Sequence, residues 1–179
     1  MKTAQTLDVH LLLSMTIGDM HQNYIAQKYE LKEAELDDFK RFWNYYKEIN
    51  LTGLDYLGVA LRRFNYAYER GSLEDKLIDH LVAFEALFFK QGETGEFRHK
   101  LSMRVARFLE HEYDKRKVVA EKMVDFYDKR SSIVHGEKVV LKLDDVITVE
   151  DYLRRSIRLF LERLQGSDHN SIISRLDLE

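Results

Sequence analysis

No proline occurs anywhere in the 179 residues, and that absence does most to limit what the chain can fold into. A proline inside a helix removes a backbone donor and clashes with the preceding turn, so helical patterns here run uninterrupted. Sheet-rich sandwiches and barrels use Pro and Gly in their many turns, and this sequence has only eight Gly. The expectation is an all-α protein. Hydrophobic residues make up 45% and charged residues 33%, an ordinary balance for one packed domain of this length.

There is no cysteine, which removes a disulfide framework, a thiolate zinc site and a cysteine nucleophile together. The net charge of −3 argues against a generic polyanion binder and leaves room for a local basic site. Residues 1–96 carry 11 Lys/Arg against 16 Asp/Glu, whereas residues 97–165 carry 16 against 12, so any basic surface belongs to the C-terminal helices. No run reaches the roughly 18 apolar residues of a membrane span. Met1-Lys2 is not followed by a secretory hydrophobic region, and the expectation is a soluble, cytoplasmic protein with no membrane partner.

Apolar periodicity predicts an antiparallel bundle of about five to six helices, near 34–49, 52–70, 73–91, 95–112, 116–135 and 149–165. Residues 1–33 are an ambiguous lead-in: Leu7, Val9, Leu11 and Leu13 alternate like a strand, while Leu12, Met15 and Met20 fit a helix. The first clear stripe is Leu36, Phe39, Trp43, Tyr46 and Ile49. Thr52 with Asp55, and Ser72 with Asp75, carry the spacing of N-terminal caps. The later stripes are Leu73, Leu77, Leu81, Phe84 and Phe88, then Phe97, Leu101, Val105 and Phe108. Val119, Met123, Phe126, Ile133 and Val134 form the next, with Gly136 placed to stop its helix. Val139-Val140-Leu141 fits a short extended segment, and Thr148 with Asp151 is read as the cap of the last helix, through Ile157, Leu161 and Leu164. The domain therefore spans 34–166, and 167–179 reads as a loosely ordered tail.

Charges inside apolar stripes are the informative residues. Glu85 lies among Leu81, Phe88 and Phe89, and Arg104 among Phe97, Leu101 and Phe108. Opposite charges on neighbouring core faces predict a buried interhelical Glu85–Arg104 pair, with a substrate-binding role as the other reading. Arg130 has Phe126, Tyr127, Ile133 and Val134 around it, so it must meet a partner, an interface or a ligand. His135 follows five residues later, just before the helix-stopping Gly136. It can interact with free helix carbonyls, or turn back toward the arginine.

Several stretches in order resemble the HEPN superfamily, and within it the Apea-like HEPN domains of prokaryotes. They are Leu61-Arg62-Arg63-Phe64-Asn65-Tyr66-Ala67-Tyr68-Glu69-Arg70, Glu74-Asp75-Lys76-Leu77-Ile78-Asp79, Ala83-Phe84-Glu85-Ala86-Leu87-Phe88 and Leu101-Ser102-Met103-Arg104-Val105-Ala106. The last is Phe126-Tyr127-Asp128-Lys129-Arg130-Ser131-Ser132-Ile133-Val134-His135-Gly136. The resemblance implies an all-helical bundle, a homodimer joined through the motif helices, and a metal-independent endoribonuclease in prokaryotic defence or stress response. It assigns the catalytic roles to Arg130 and His135. Many active members have Asn, Asp or His directly after the arginine, where this chain has Ser131.

The chemistry agrees with that assignment. Histidine moves protons near neutral pH, and arginine offers a permanently charged fork for phosphate oxygens. Ser131 or Ser132 can position a phosphate or the imidazole, and Arg98, Lys100 and Arg107 are candidate phosphate contacts for an RNA substrate. No cofactor or metal is expected: Asp37-Asp38 and Asp144-Asp145 diverge as neighbours, and His10, His21, His80, His99, His111 and His169 lack metal-site spacing. The alternative function is a non-catalytic RNA- or nucleotide-binding or dimerisation module of a larger sensor. An additional domain or an antitoxin-like partner belongs to the same set of expectations.

Overall fold

The computed structural model describes residues 32–48, 54–164 and 166–178. Within them the chain is all-α. Seven helices follow a short 3-10 turn at Glu33–Glu35, with no strand among the described residues. They are α1 (Leu36–Glu48), α2 (Asp55–Glu69), α3 (Leu73–Phe88), α4 (Phe97–Leu109), α5 (Tyr113–Val134), α6 (Leu143–Arg163) and α7 (His169–Leu178).

Helix α3 is the centre of the bundle and packs against α2, α4, α5 and α6. Its buried residues explain that position. Leu77, Leu81, Ala83, Phe84, Leu87 and Phe88 cover more than one face, and a helix apolar on several faces is stable only when surrounded. The start is set by Ser72, whose Oγ accepts the backbone N–H of Asp75 at 3.1 Å, as the cap spacing predicts. The expected cap at Thr52, the ambiguous lead-in and Ile49 lie outside the described residues.

Three rings close the core. Phe88 meets Phe108 edge-on at 5.3 Å and Phe160 edge-on at 5.2 Å, while Phe108 and Phe160 stand 4.5 Å apart. Leu101, Val105, Val119, Met123 and Phe126 are buried with them, following the predicted stripes. Phe97 and Val134 depart from those stripes and are 38% and 56% exposed. Each sits at a helix end, where the neighbouring helix no longer covers the stripe.

Two expectations need correction. The last long helix starts at Leu143 and not near 149, because Asp145 accepts the Lys142 backbone N–H at 3.2 Å and the Lys129 Nζ at 2.9 Å. Thr148 is therefore interior to α6, with its hydroxyl turned back to the Asp144 carbonyl at 2.7 Å. Residues 137–142, including Val139-Val140-Leu141, connect α5 to α6 without a regular element.

The tail is not loosely ordered through residues 169–178. It forms α7, which buries Ile172, Ile173 and Leu176. Asp168 caps it by accepting the Ser171 N–H at 3.0 Å and hydroxyl at 2.6 Å. Arg107 then donates to the Leu176 carbonyl at 2.6 Å, and Lys90 to Ser174 Oγ at 2.8 Å. No helix of the described residues is long and apolar enough to cross a membrane.

Candidate functional site

The end of α5 is built by its own sequence. Gly136 takes a left-handed φ of 77°, a conformation that costs any residue with a Cβ. Its N–H reaches the Ile133 carbonyl at 3.0 Å, and the Glu137 N–H reaches Ser132 at 2.9 Å. The His135 N–H takes the Ser131 carbonyl at 3.1 Å. These bonds satisfy carbonyls that a helix terminus otherwise leaves to water. Ser131 and Ser132 thus hold the terminus through their backbones. The His135 ring is left exposed, with no hydrogen-bond or ion-pair partner among the described residues. The idea that it turns back onto Arg130 is not realised within one chain.

Arg130 is half-buried on the same helix. Its guanidinium lies 3.9 Å from the Glu85 carboxylate of α3, and its Nε is buried without a hydrogen-bond partner. Burial pushes the Glu85 carboxyl up, against the pull of Arg130. Tyr127, one turn before Arg130, is half-buried beside them, and burial followed by the Glu85 charge raises its phenol.

The expected Glu85–Arg104 pair is therefore corrected: each residue has other company. Arg104, only 3% exposed, donates from Nη1 to the Phe88 carbonyl at 2.7 Å and to Glu93 at 2.9 Å. Its Nη2 reaches Glu93 at 2.8 Å and Asp177 at 3.0 Å, while Nε reaches Asp177 at 2.8 Å. This guanidinium is saturated because it collects an orphan carbonyl at the end of α3, a loop carboxylate and a carboxylate of α7. Arg104 holds the fold together, and Glu85 is left to face Arg130.

Glu85 and Tyr127 also line a cavity of about 920 Å³. Tyr56 and Val59 of α2, Phe89 after α3 and Phe97 opening α4 supply its apolar wall. Phe89 and Phe97 meet edge-to-face at 4.9 Å, and Tyr56 stacks on His169 at 4.0 Å. Burial, and then the nearby Asp168, push the Tyr56 phenol up to about 12. Sequence reasoning missed this cavity. Its residues come from five helices and the segments beside three of them, and each reads alone as an ordinary core or surface position.

The candidate phosphate contacts all have protein partners. Arg98 forms a two-pronged pair with Asp128 at 2.5 and 2.6 Å, on the α5 turn just before Arg130. Lys100 reaches Glu93 at 3.1 Å and the Thr94 carbonyl at 3.2 Å, and Arg107 is held by α7. Each is engaged by a different carboxylate or carbonyl. Among the described residues, no three His, Asp or Glu stand as a group able to hold a metal ion. No protein-family model, curated protein or solved structure matches the chain.

Proposed function

We propose that this chain is a metal-independent endoribonuclease in which Arg130 and His135 act at a site shared between two copies. The observation that carries the reading is the contrast between two arginines. Arg104 uses all three guanidinium nitrogens on protein acceptors, as a structural arginine does. Arg130 has its Nε buried and unbonded and its carboxylate neighbour at 3.9 Å, on the helix that ends in an exposed, unpartnered His135. A guanidinium held so loosely costs little to move onto a phosphate. The resemblance of Phe126–Gly136 to the HEPN motif assigns these same two residues.

Without a metal, RNA is cut by its own 2′-hydroxyl. The 2′-oxygen bonds to phosphorus as a base removes its proton, and the P–O5′ bond breaks as an acid protonates the leaving oxygen. One His135 takes the first proton and the other supplies the second, which is why one chain is insufficient. The Arg130 fork stabilises the charge that develops on the non-bridging oxygens. The apolar side chains Val134, Val140, Leu143 and Ile147 are exposed around the end of α5 and the start of α6, and they support closure by a second copy.

The test is incubation with end-labelled RNA in chelator-containing buffer. The expected products carry 2′,3′-cyclic phosphate and 5′-hydroxyl ends, and DNA of the same sequence survives because it lacks the nucleophile. His135→Ala is expected to lower the rate by about 10²–10⁴. Undiminished cleavage by that variant overturns the mechanism. RNA affinity without cleavage supports the binding-module alternative.

A further inference from the structure

We infer that the cavity beside Arg130 is a base pocket, and that the base it takes is guanine. The inference rests on the ribonuclease reading for its setting, since Glu85 belongs both to the cavity wall and to the neighbourhood of Arg130.

The walls suit a flat ring. Tyr56, Phe89, Phe97 and Tyr127 come from separate elements, and Phe97 keeps 38% of its surface exposed. Proteins that hold single-stranded RNA splay bases out and stack them on such rings, and every base has a π-face that allows it. About 920 Å³ accommodates a purine nucleotide with room for its sugar and phosphate.

Identity comes from the half-buried Glu85 carboxylate. Asp55, Gln91 and Asn170 also line the cavity but are exposed to water. The Tyr56 hydroxyl, buried without a partner, can donate or accept and so does not select a base. Lys90 and Asp168 in the lining are occupied, by Ser174 at 2.8 Å and by Ser171 at 3.0 and 2.6 Å. His169 is likewise held, with Nε2 2.7 Å from the Leu87 carbonyl. The Glu85 carboxylate receives no hydrogen bond from the described residues, only the attraction of Arg130. An ionised carboxylate is acceptor-only, and its two oxygens ask for two adjacent donors. Guanine alone among the four bases presents two neighbouring donors, N1–H and N2–H, on its Watson–Crick edge. Adenine and cytosine pair one donor with an acceptor there, and uracil sets its single N–H between two carbonyls. A base seated on Glu85 also draws the carboxylate away from Arg130, which leaves the guanidinium for phosphate.

The test uses the wild-type full chain and the four nucleoside 3′-monophosphates, titrated calorimetrically in chelator-containing buffer. Guanosine 3′-monophosphate is expected to bind at least tenfold more tightly than the other three. Glu85→Gln places an amide donor against the guanine donors and is expected to cut that preference to less than threefold. Ala86→Trp, which fills the cavity from α3, is expected to abolish binding, with helical circular dichroism confirming that each variant is folded. Equal binding of all four nucleotides overturns the inference, as does no binding at millimolar concentration or a preference that survives Glu85→Gln. Cleavage of mixed-sequence RNA separates the two readings. Cuts clustered beside guanosines support the pocket. Cuts without base preference overturn the pocket and leave the ribonuclease standing. Selective guanosine 3′-monophosphate binding with no cleavage retains the pocket and removes the ribonuclease.

Discussion

Glu85 and Arg130 face each other between α3 and α5 with 3.9 Å between carboxylate and guanidinium, near enough to attract and too far to hydrogen-bond. A pair of this kind is poised and not locked. Both side chains keep about a quarter of their surface in water, 28% and 25%, so solvent screens much of their attraction. A double-mutant cycle with Glu85→Ala and Arg130→Ala is expected to give a coupling below about 1 kcal/mol in urea unfolding. A coupling of several kcal/mol would identify a structural bridge and count against a role in the site.

Arg104 is the opposite case. Arg104→Ala leaves Glu93, Asp177 and the Phe88 carbonyl without their common partner, and the expected loss is about 3–5 kcal/mol. The unfolding midpoint in urea measures it. A midpoint within error of wild type would mean that the network does not hold α7 to α3 and α4.

Acid should weaken the fold in two separable stages. His80 is buried with both ring nitrogens unpartnered, and burial, with a smaller push from Lys76 against Asp79, lowers it to about 4. The unfolded imidazole takes a proton near 6.5, so this part of the stability is whole above 6.5 and is lost as pH falls toward 4. Hydrogen bonding to Arg104 holds Glu93 at about 2, so its contribution is whole above 4.5 and disappears between 4.5 and 2. His80→Leu is expected to flatten the decline between pH 6.5 and 4.5, where the slope approaches about 1.4 kcal/mol per unit, and to leave the lower stage. Denaturant unfolding at stepped pH reads both. An unchanged upper slope in His80→Leu would assign it to another group.

Helix α7 belongs to the core. Ile173, which is fully buried, is expected to cost about 2–5 kcal/mol on replacement by alanine. Removal of residues 167–179 should cost more, because it also strips Asp177 from Arg104. A truncated chain that unfolds at the wild-type temperature would contradict this packing.

Gly136 links stability to the site. Gly136→Ala forces a Cβ into the left-handed region, at about 1–2 kcal/mol, although nothing lies within 4 Å of the added atom. The strain falls directly after His135, so under the proposed ribonuclease function cleavage is expected to drop further than the small loss of stability explains. Arg130→Lys should lower cleavage by about 10²-fold or more while the fold persists, since an ammonium cannot reproduce the fork. Equal rates for wild type and Arg130→Lys would remove Arg130 from the chemistry.

What the sequence by itself determined is local. The helical stripes, the Ser72–Asp75 cap and the Gly136 stop act over a few residues. The cap and the stop appear where their spacing put them, and the stripes are buried or half-buried except at Phe39, Phe97 and Val134 among the described residues. Arg130 and His135 stood out for the same reason, as a charge inside a stripe and a histidine at a helix end. Pairing partners were another matter. Glu85 and Arg104 are both charges in apolar stripes, and stripe periodicity says that each needs relief without saying from where. Only the packing turned Glu85 toward Arg130 and brought Glu93 and Asp177 to Arg104, the latter from 73 residues away. The order of α7 was hidden likewise, because the three of its four apolar residues that are buried gain that burial only after the helices beneath have made the surface that receives them. The cavity is the limit of this rule: its walls exist only once five helices have met, and no stretch of sequence contains it.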